Sequence, residues 1–326
     1  MNRFAKQILP FCSLIFIISL WTFLEPDNFL TTQNLMNVLR RSSINGIIAA
    51  GMTYVIITSG IDLSVGSMLA MCGMIGSVAM LKFSGASWAM ITGGSYVELG
   101  TPAMIMGTLV GIAAGVVCGF GNGMLITRLK LAPFIVTLGT MSIFRGTSYL
   151  MNDGKPFAVS DYAWLDIGTI IGIPSSVVLL ILILALAGFI LKYTPFGRYV
   201  YAIGSNVETA FHAGINVKNS IVIVYTMIGA FVGIAAMITT SRASSAQPSA
   251  GLALELDIIA AVIIGGCSPA GGKGTMIGTI IGTLLISFLR NGLTLLDIST
   301  NVQLVVIGAI IVLAVAADQI ATKRQA

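Results

Sequence analysis

The chain has 326 residues, of which 56% are hydrophobic and only 9% charged, and it carries a net charge of +5. Soluble domains average about 25% charged residues, so a soluble globule of this composition would expose large apolar patches. The 17 cations are scattered beside apolar runs instead of clustered on one stripe, which argues against nucleic acid, and the alternating pattern of a β-barrel is absent.

Apolar runs near the length needed to cross a bilayer recur along the chain, predicting an all-α polytopic membrane protein with about ten transmembrane helices. The expected spans are 8–24, 36–58, 63–82, 102–124, 132–151, 173–191, 219–240, 255–267, 275–290 and 302–318. Arg3 and Lys6 before the first run suggest a signal peptide. That run is long, however, and ends in FLEPDN without a small-x-small site, so a retained helix is expected.

The third span opens through GIDLSVGS, with Asp62, Ser64 and Ser67 at its mouth. A carboxylate there either serves the solute path or caps the helix as its N-cap. The fourth span carries Gly107, Gly111, Gly115, Gly119 and Gly123, one face of small residues on which another helix can pack closely. Arg145 lies inside the fifth span, where it faces a polar path or pairs with a loop carbonyl or carboxylate.

Between the sixth and seventh spans, residues 192–220 form the longest polar island, with Lys192, Arg198, Glu208, His212 and Lys218. Asn206 to Asn216 reads as a short helix ending in glycine. His212 falls outside the expected bilayer, which argues against a proton relay. Ser241–Gly251 is a small polar loop, and Glu255 and Asp257 then open the short eighth span, two residues apart and so on different helix faces. They are candidates for the translocation path or for helix-end stabilisation.

The turn Cys267–Thr275, CSPAGGKGT, superficially resembles a phosphate loop. The Walker pattern would need glycine at 267 and serine or threonine at 274; the chain has Cys267 and Gly274, so no nucleotide site is read there. The four cysteines, Cys12, Cys72, Cys118 and Cys267, show no metal-ligand spacing. Neither a metal, a cofactor nor a catalytic residue is expected.

With the N-terminus inside, Arg3, Lys6, Arg128, Lys130, Lys192, Arg198, Lys218, Lys273, Lys323 and Arg324 fall on the inner side, against Lys82, Lys155, Arg242 and Arg290 on the outer. The positive-inside rule then puts both termini and the 192–220 loop in the cytoplasm. Gly274, Gly278 and Gly282 in the ninth span echo the ladder of the fourth, GTMIGTIIG against GTLVGIAAG. An echo five spans apart implies an inverted internal repeat, with halves near 36–151 and 219–318 in a single permease domain, and hence a solute transporter.

The stretches ITSGIDLSVGS, TPFGRYVYAIGSN, SSAQPSAG, ELDIIAAVIIGG and GGKGTMIGTIIG, in that order, resemble the membrane permeases of bacterial ribose-type ABC sugar importers, allose-type permeases among them. The resemblance runs from about Asn28 to Asp318. It implies a multi-pass permease of the bacterial inner membrane that works beside a second permease copy, identical or related. A cytoplasmic ATPase and a periplasmic sugar-binding protein complete the assembly, with catalysis on the ATPase and not on this chain. It further implies that an E-A-A-x-x-x-G segment docks on the ATPase; here Glu208, Ala210 and Gly214 match that pattern and Thr209 departs from it. A secondary symporter working alone is the rival reading. It would call for deep ionisable groups, of which only Arg145 and, at the margin, Asp62 qualify.

Overall fold

The computed structural model describes residues 3–163, 165, 168–170 and 172–323. Arg324, used in the charge count, lies outside them. The described chain is mostly helical: α1 Arg3–Leu24, α2 Thr32–Ile57, α3 Val65–Phe83, α4 Trp88–Thr92, α5 Thr101–Arg128, α6 Pro133–Leu150, α7 Ser175–Tyr193, α8 Pro195–Ser205, α9 Val207–His212, α10 Val217–Ala243, α11 Leu254–Ile264, α12 Met276–Leu295 and α13 Thr300–Lys323. Each of the stretches expected to span overlaps one of these helices, though the eighth, expected over 255–267, is the eleven-residue α11, which ends at Ile264. Among the described residues, five helices (α3, α5, α7, α10 and α12) are long and apolar enough to cross a membrane.

The sequence starts these helices in familiar ways. Pro102, Pro133 and Pro195 occupy the first turn of α5, α6 and α8, where the missing N–H costs nothing. Thr31, Thr194, Asn206, Asn216 and Thr275 each accept a backbone N–H three residues on, satisfying donors that the first turn leaves free. α10 ends on Ser244 at φ 48°, a left-handed stop.

The helices gather into two compact units. One comprises residues 61–182 and 216–255, the other 1–60, 183–215 and 256–326. In the first, α5 packs along α10 and α3, and α6 along α3. Its core of Met74, Met80, Leu81, Phe157, Tyr162 and Met237 is closed by two small strands, β1 (Phe157–Ala158) and β4 (Ser245–Ala246), paired antiparallel. A second tiny hairpin pairs β2 (Thr169–Ile170) with β3 (Ile173–Pro174). In the other unit, α12 packs on α1 and α2, around Trp21, Phe29, Leu289 and Leu293 and around Ala260, Ala261, Leu285, Ile286 and Ile307.

The glycine ladders explain this packing. A Cβ at Gly115 would strike Gly229 O, and one at Gly119 would strike Tyr225 O. The face of α5 therefore meets α10 backbone to backbone, and Gly229 and Gly233 supply the matching notch. Gly107 and Gly111 face Met80 and Met237 instead. On α12, Gly278 meets Gly265 O and Gly282 meets Ala261 O. Gly274, expected on the same ladder, is not on the helix: Thr275 is the N-cap, and Gly274 sits in the preceding turn against Cys267 Sγ and Ile57.

Candidate functional site

The polar island after α7 is helical for most of its length. α8 and α9 meet at Asn206, whose extended backbone (φ −163°, ψ 113°) ends one helix while its side chain caps the next through Thr209 N–H at 2.8 Å. The short helix expected between Asn206 and Asn216 is therefore α9, one and a half turns long. It closes at Gly214, where φ is +84°. Ala210 is buried, whereas Glu208, Phe211 and His212 are exposed. Ala210 thus faces inward, while Ala213 and Gly214 are exposed along with a carboxylate and an apolar ring.

The base beneath α9 is tightly built. A Cβ on Gly204 would strike Ile57 O and come within 2.7 Å of Gly272 N. Ser59 Oγ donates to Ala270 O at 3.0 Å, and Tyr201 OH donates to Gly274 O at 2.8 Å. The glycine turn spends its own amides internally: Gly272 N–H donates to Ile57 O, Gly271 N–H to Ser268 O and Ser268 N–H to Lys273 O. Its job is to join the end of α2 to α8, and donors already engaged in this way leave no phosphate cradle.

In the other unit, Asp62 is fully buried. Its Oδ1 accepts Ser64 N–H at 2.8 Å and Ser64 Oγ at 2.6 Å. Asn122 of α5 donates to Ser64 Oγ at 3.0 Å. The helix cap itself is Ser64, without a side-chain cap bond. Asp62 holds the residue before the helix rather than acting as the N-cap, because α3 begins only at Val65, three residues after it. Asn122, part of this cluster, had no sequence signal beyond being an asparagine in an apolar run.

Arg145 resolves onto carbonyls. Its Nη1 donates to Pro248 O at 2.7 Å and to Ala250 O at 2.8 Å, so it clamps the 244–253 loop. The loop also touches the start of α3, since a Cβ on Gly66 would strike Gly251 O and lie 2.6 Å from Glu255 Oε2. Glu255 is close enough to Arg145 for their charges to interact.

Asp257 belongs to a different setting, in the unit of α12. It is 5% exposed and pairs with Arg290 of α12, Oδ2 to Nε at 2.6 Å and Oδ1 to Nη2 at 2.8 Å. Arg290 Nη1 also reaches Gln303 Oε1 at 3.4 Å. The candidates Asp62, Ser64, Arg145 and Glu255 therefore fall in one unit, while Asp257 and the Glu208–Gly214 segment fall in the other.

Known proteins resemble the chain over nearly its whole length. It is 40% identical to the ribose import permease protein RbsC of Haemophilus influenzae over 99% of this chain and 96% of that protein. It is 41% identical to RbsC of Bacillus subtilis over 96% and 93%. The D-allose transport system permease protein AlsC of Escherichia coli is 37% identical over 96% and 91%. No solved structure matches. Residues 34–315 match the family described as branched-chain amino acid transport system / permease component, and the chain belongs to that family.

Proposed function

We propose that this chain is the transmembrane permease of an ATP-driven importer for a monosaccharide of the ribose or allose kind, multi-pass in the bacterial inner membrane with both termini cytoplasmic. The observation that carries the proposal is near full-length similarity to ribose and allose permeases, joined to an exposed short helix braced by buried glycine contacts. The reading assigns α9, with Glu208, Ala210 and Gly214, as the helix that enters a groove on a partner ATPase. A binding protein delivers the sugar, and a second permease copy completes the pathway. ATP is hydrolysed on the partner.

The ten-span, inverted-repeat architecture belongs to the same proposal. It is supported by the make-up of the units. One gathers the third, fourth and fifth expected spans (α3, α5, α6) with the seventh (α10). The other gathers the eighth, ninth and tenth (most of α11, then α12 and α13) with the second (α2) and also α1. Under an offset of five, the seventh span is the counterpart of the second. Leaving aside α1 and α7, the latter divided between the units at residue 182, each unit is then three consecutive spans plus one exchanged from the other half.

The test is reconstitution of the full chain with its ATPase and binding protein in proteoliposomes. ATP-dependent uptake of labelled D-ribose or D-allose is expected. Uptake that proceeds equally without ATP would overturn the proposal in favour of a facilitator.

A further inference from the structure

A cavity of about 170 Å³ lies inside the unit of residues 61–182 and 216–255. It is bounded by α3 (Leu69, Gly73), the end of α10 (Thr239, Thr240) and the clamped loop (Gln247, Gly251). One water takes roughly 30 Å³ in the liquid, so the space equals about five or six waters. It is far smaller than the roughly 300–1,000 Å³ pockets of drug-sized ligands, and one monosaccharide ring would fill it.

Two of the polar side chains facing this space, Thr240 and Gln247, are uncommitted. Thr240 is 3% exposed and lines the cavity, and its hydroxyl has no hydrogen-bond partner among the described residues. Its hydroxyl is open to whatever fills the cavity, as one donor and an acceptor. The Gln247 amide is likewise free, offering two donors and an acceptor. Thr239 and Ser245 spend their protons on Ala235 O (2.8 Å) and Ala243 O (3.1 Å), which leaves their lone pairs open as acceptors.

The cavity is also held open. A Cβ at Gly73 would come within 2.8 Å of Thr240 Oγ1, so glycine keeps that hydroxyl reachable. Gln247 sits between two fixed points, Ala246 in the β1–β4 pairing and Pro248 under the Arg145 clamp. No charged side chain of the described residues lines the space. A zwitterionic amino acid would bury its carboxylate and ammonium there without counter-charge, whereas a neutral polyol brings hydroxyl donors and acceptors that match those present.

We propose that this cavity is a subsite for one neutral sugar ring on the transport path, with Thr240 and Gln247 reading its hydroxyls. The proposal rests on the sugar-permease function above and assigns residues to its substrate.

The experiment uses proteoliposomes holding the full chain with its ATPase and binding protein, supplied with labelled D-ribose, D-allose and D-xylose. Thr240→Val, Gln247→Ala and Ala70→Leu, which fills the cavity from its α3 wall, are compared with wild type, and assembly is followed by co-purification with the ATPase. Each variant is expected to lower ATP-dependent uptake by about tenfold or to change the preference among the three sugars, because a site built to bond hydroxyls discriminates through them. Thr240→Ser, which keeps the hydroxyl, is expected to retain wild-type uptake. If Thr240→Val fails to assemble, Gln247→Ala on the exposed loop decides. Wild-type rates and wild-type preference in the assembled variants overturn the subsite and leave the transport function standing. No ATP-dependent uptake of any sugar by the wild-type complex overturns the transport function, and the sugar assignment with it.

Discussion

Arg145 places a single nitrogen on two carbonyls, Pro248 O and Ala250 O. Charged donors of this kind contribute about 1.5–3 kcal/mol each. Arg145→Met is expected to free the 244–253 loop, raising proteolytic cleavage there and lowering uptake several-fold, while Arg145→Lys keeps a donor and falls in between. Limited proteolysis of the purified protein checks the first effect directly. The Asp257–Arg290 pair is bidentate and nearly buried. Removing one partner of such a pair costs about 3–5 kcal/mol, because a buried charge is left alone, whereas replacing both with apolar residues is often close to neutral. Asp257→Leu and Arg290→Met should each lower the thermal midpoint sharply, and the double variant should recover most of the loss. A double variant as unstable as the sum of the two would mean that the residues act independently.

At the scale of the helix, the ladder is a contact surface, and a glycine of α5 on it is not equivalent to one off it. Gly115 lies against the backbone of Gly229, whereas nothing stands within 4 Å of a Cβ at Gly121 on the same helix. Overpacking a close contact costs about 1–3 kcal/mol, and substitutions at open positions stay within about 0.5 kcal/mol. Gly115→Ala should therefore reduce the yield of folded protein in detergent, with Gly121→Ala indistinguishable from wild type. Equal behaviour of the two would remove backbone contact as the explanation of the ladder. The repeat in the letters was visible along the chain. Its partner surface, Gly229 and Gly233 on α10, was not, because two glycines in an apolar run carry no sign of what they face.

For the whole assembly, the proposed docking of α9 on an ATPase would bring force in at its exposed face and pass it through the braced base. Glu208 makes no hydrogen bond or ion pair among the described residues, so Glu208→Ala should leave folding unchanged and lower the sugar imported per ATP hydrolysed. Gly204→Ala drives a side chain into Ile57 O and Gly272 N and should lower that ratio further, since it shifts α8 and the glycine turn together. Parallel measurement of uptake and hydrolysis in proteoliposomes checks both. Wild-type stoichiometry in Glu208→Ala would remove the carboxylate from the docking surface.

Composition pointed to a membrane-type chain, because a residue set so poor in charge cannot cover a soluble globule, and the length of the apolar runs made it helical. Local patterns set several helix starts, because proline and capping side chains act within a few residues of themselves. The sequence of short motifs also pointed to the permease family that full-length similarity bears out. Tertiary structure alone decided which polar groups meet. Arg145 and Pro248 are 103 residues apart in the chain, Asn122 and Ser64 are 58 apart, and Asp62 proved to hold Ser64 instead of capping α3. It also decided that Gly274 belongs to a turn and that helices from both halves of the chain share each unit. Contacts of that range depend on which helix faces are small enough to approach, and that is a property of pairs of surfaces, written in neither segment alone.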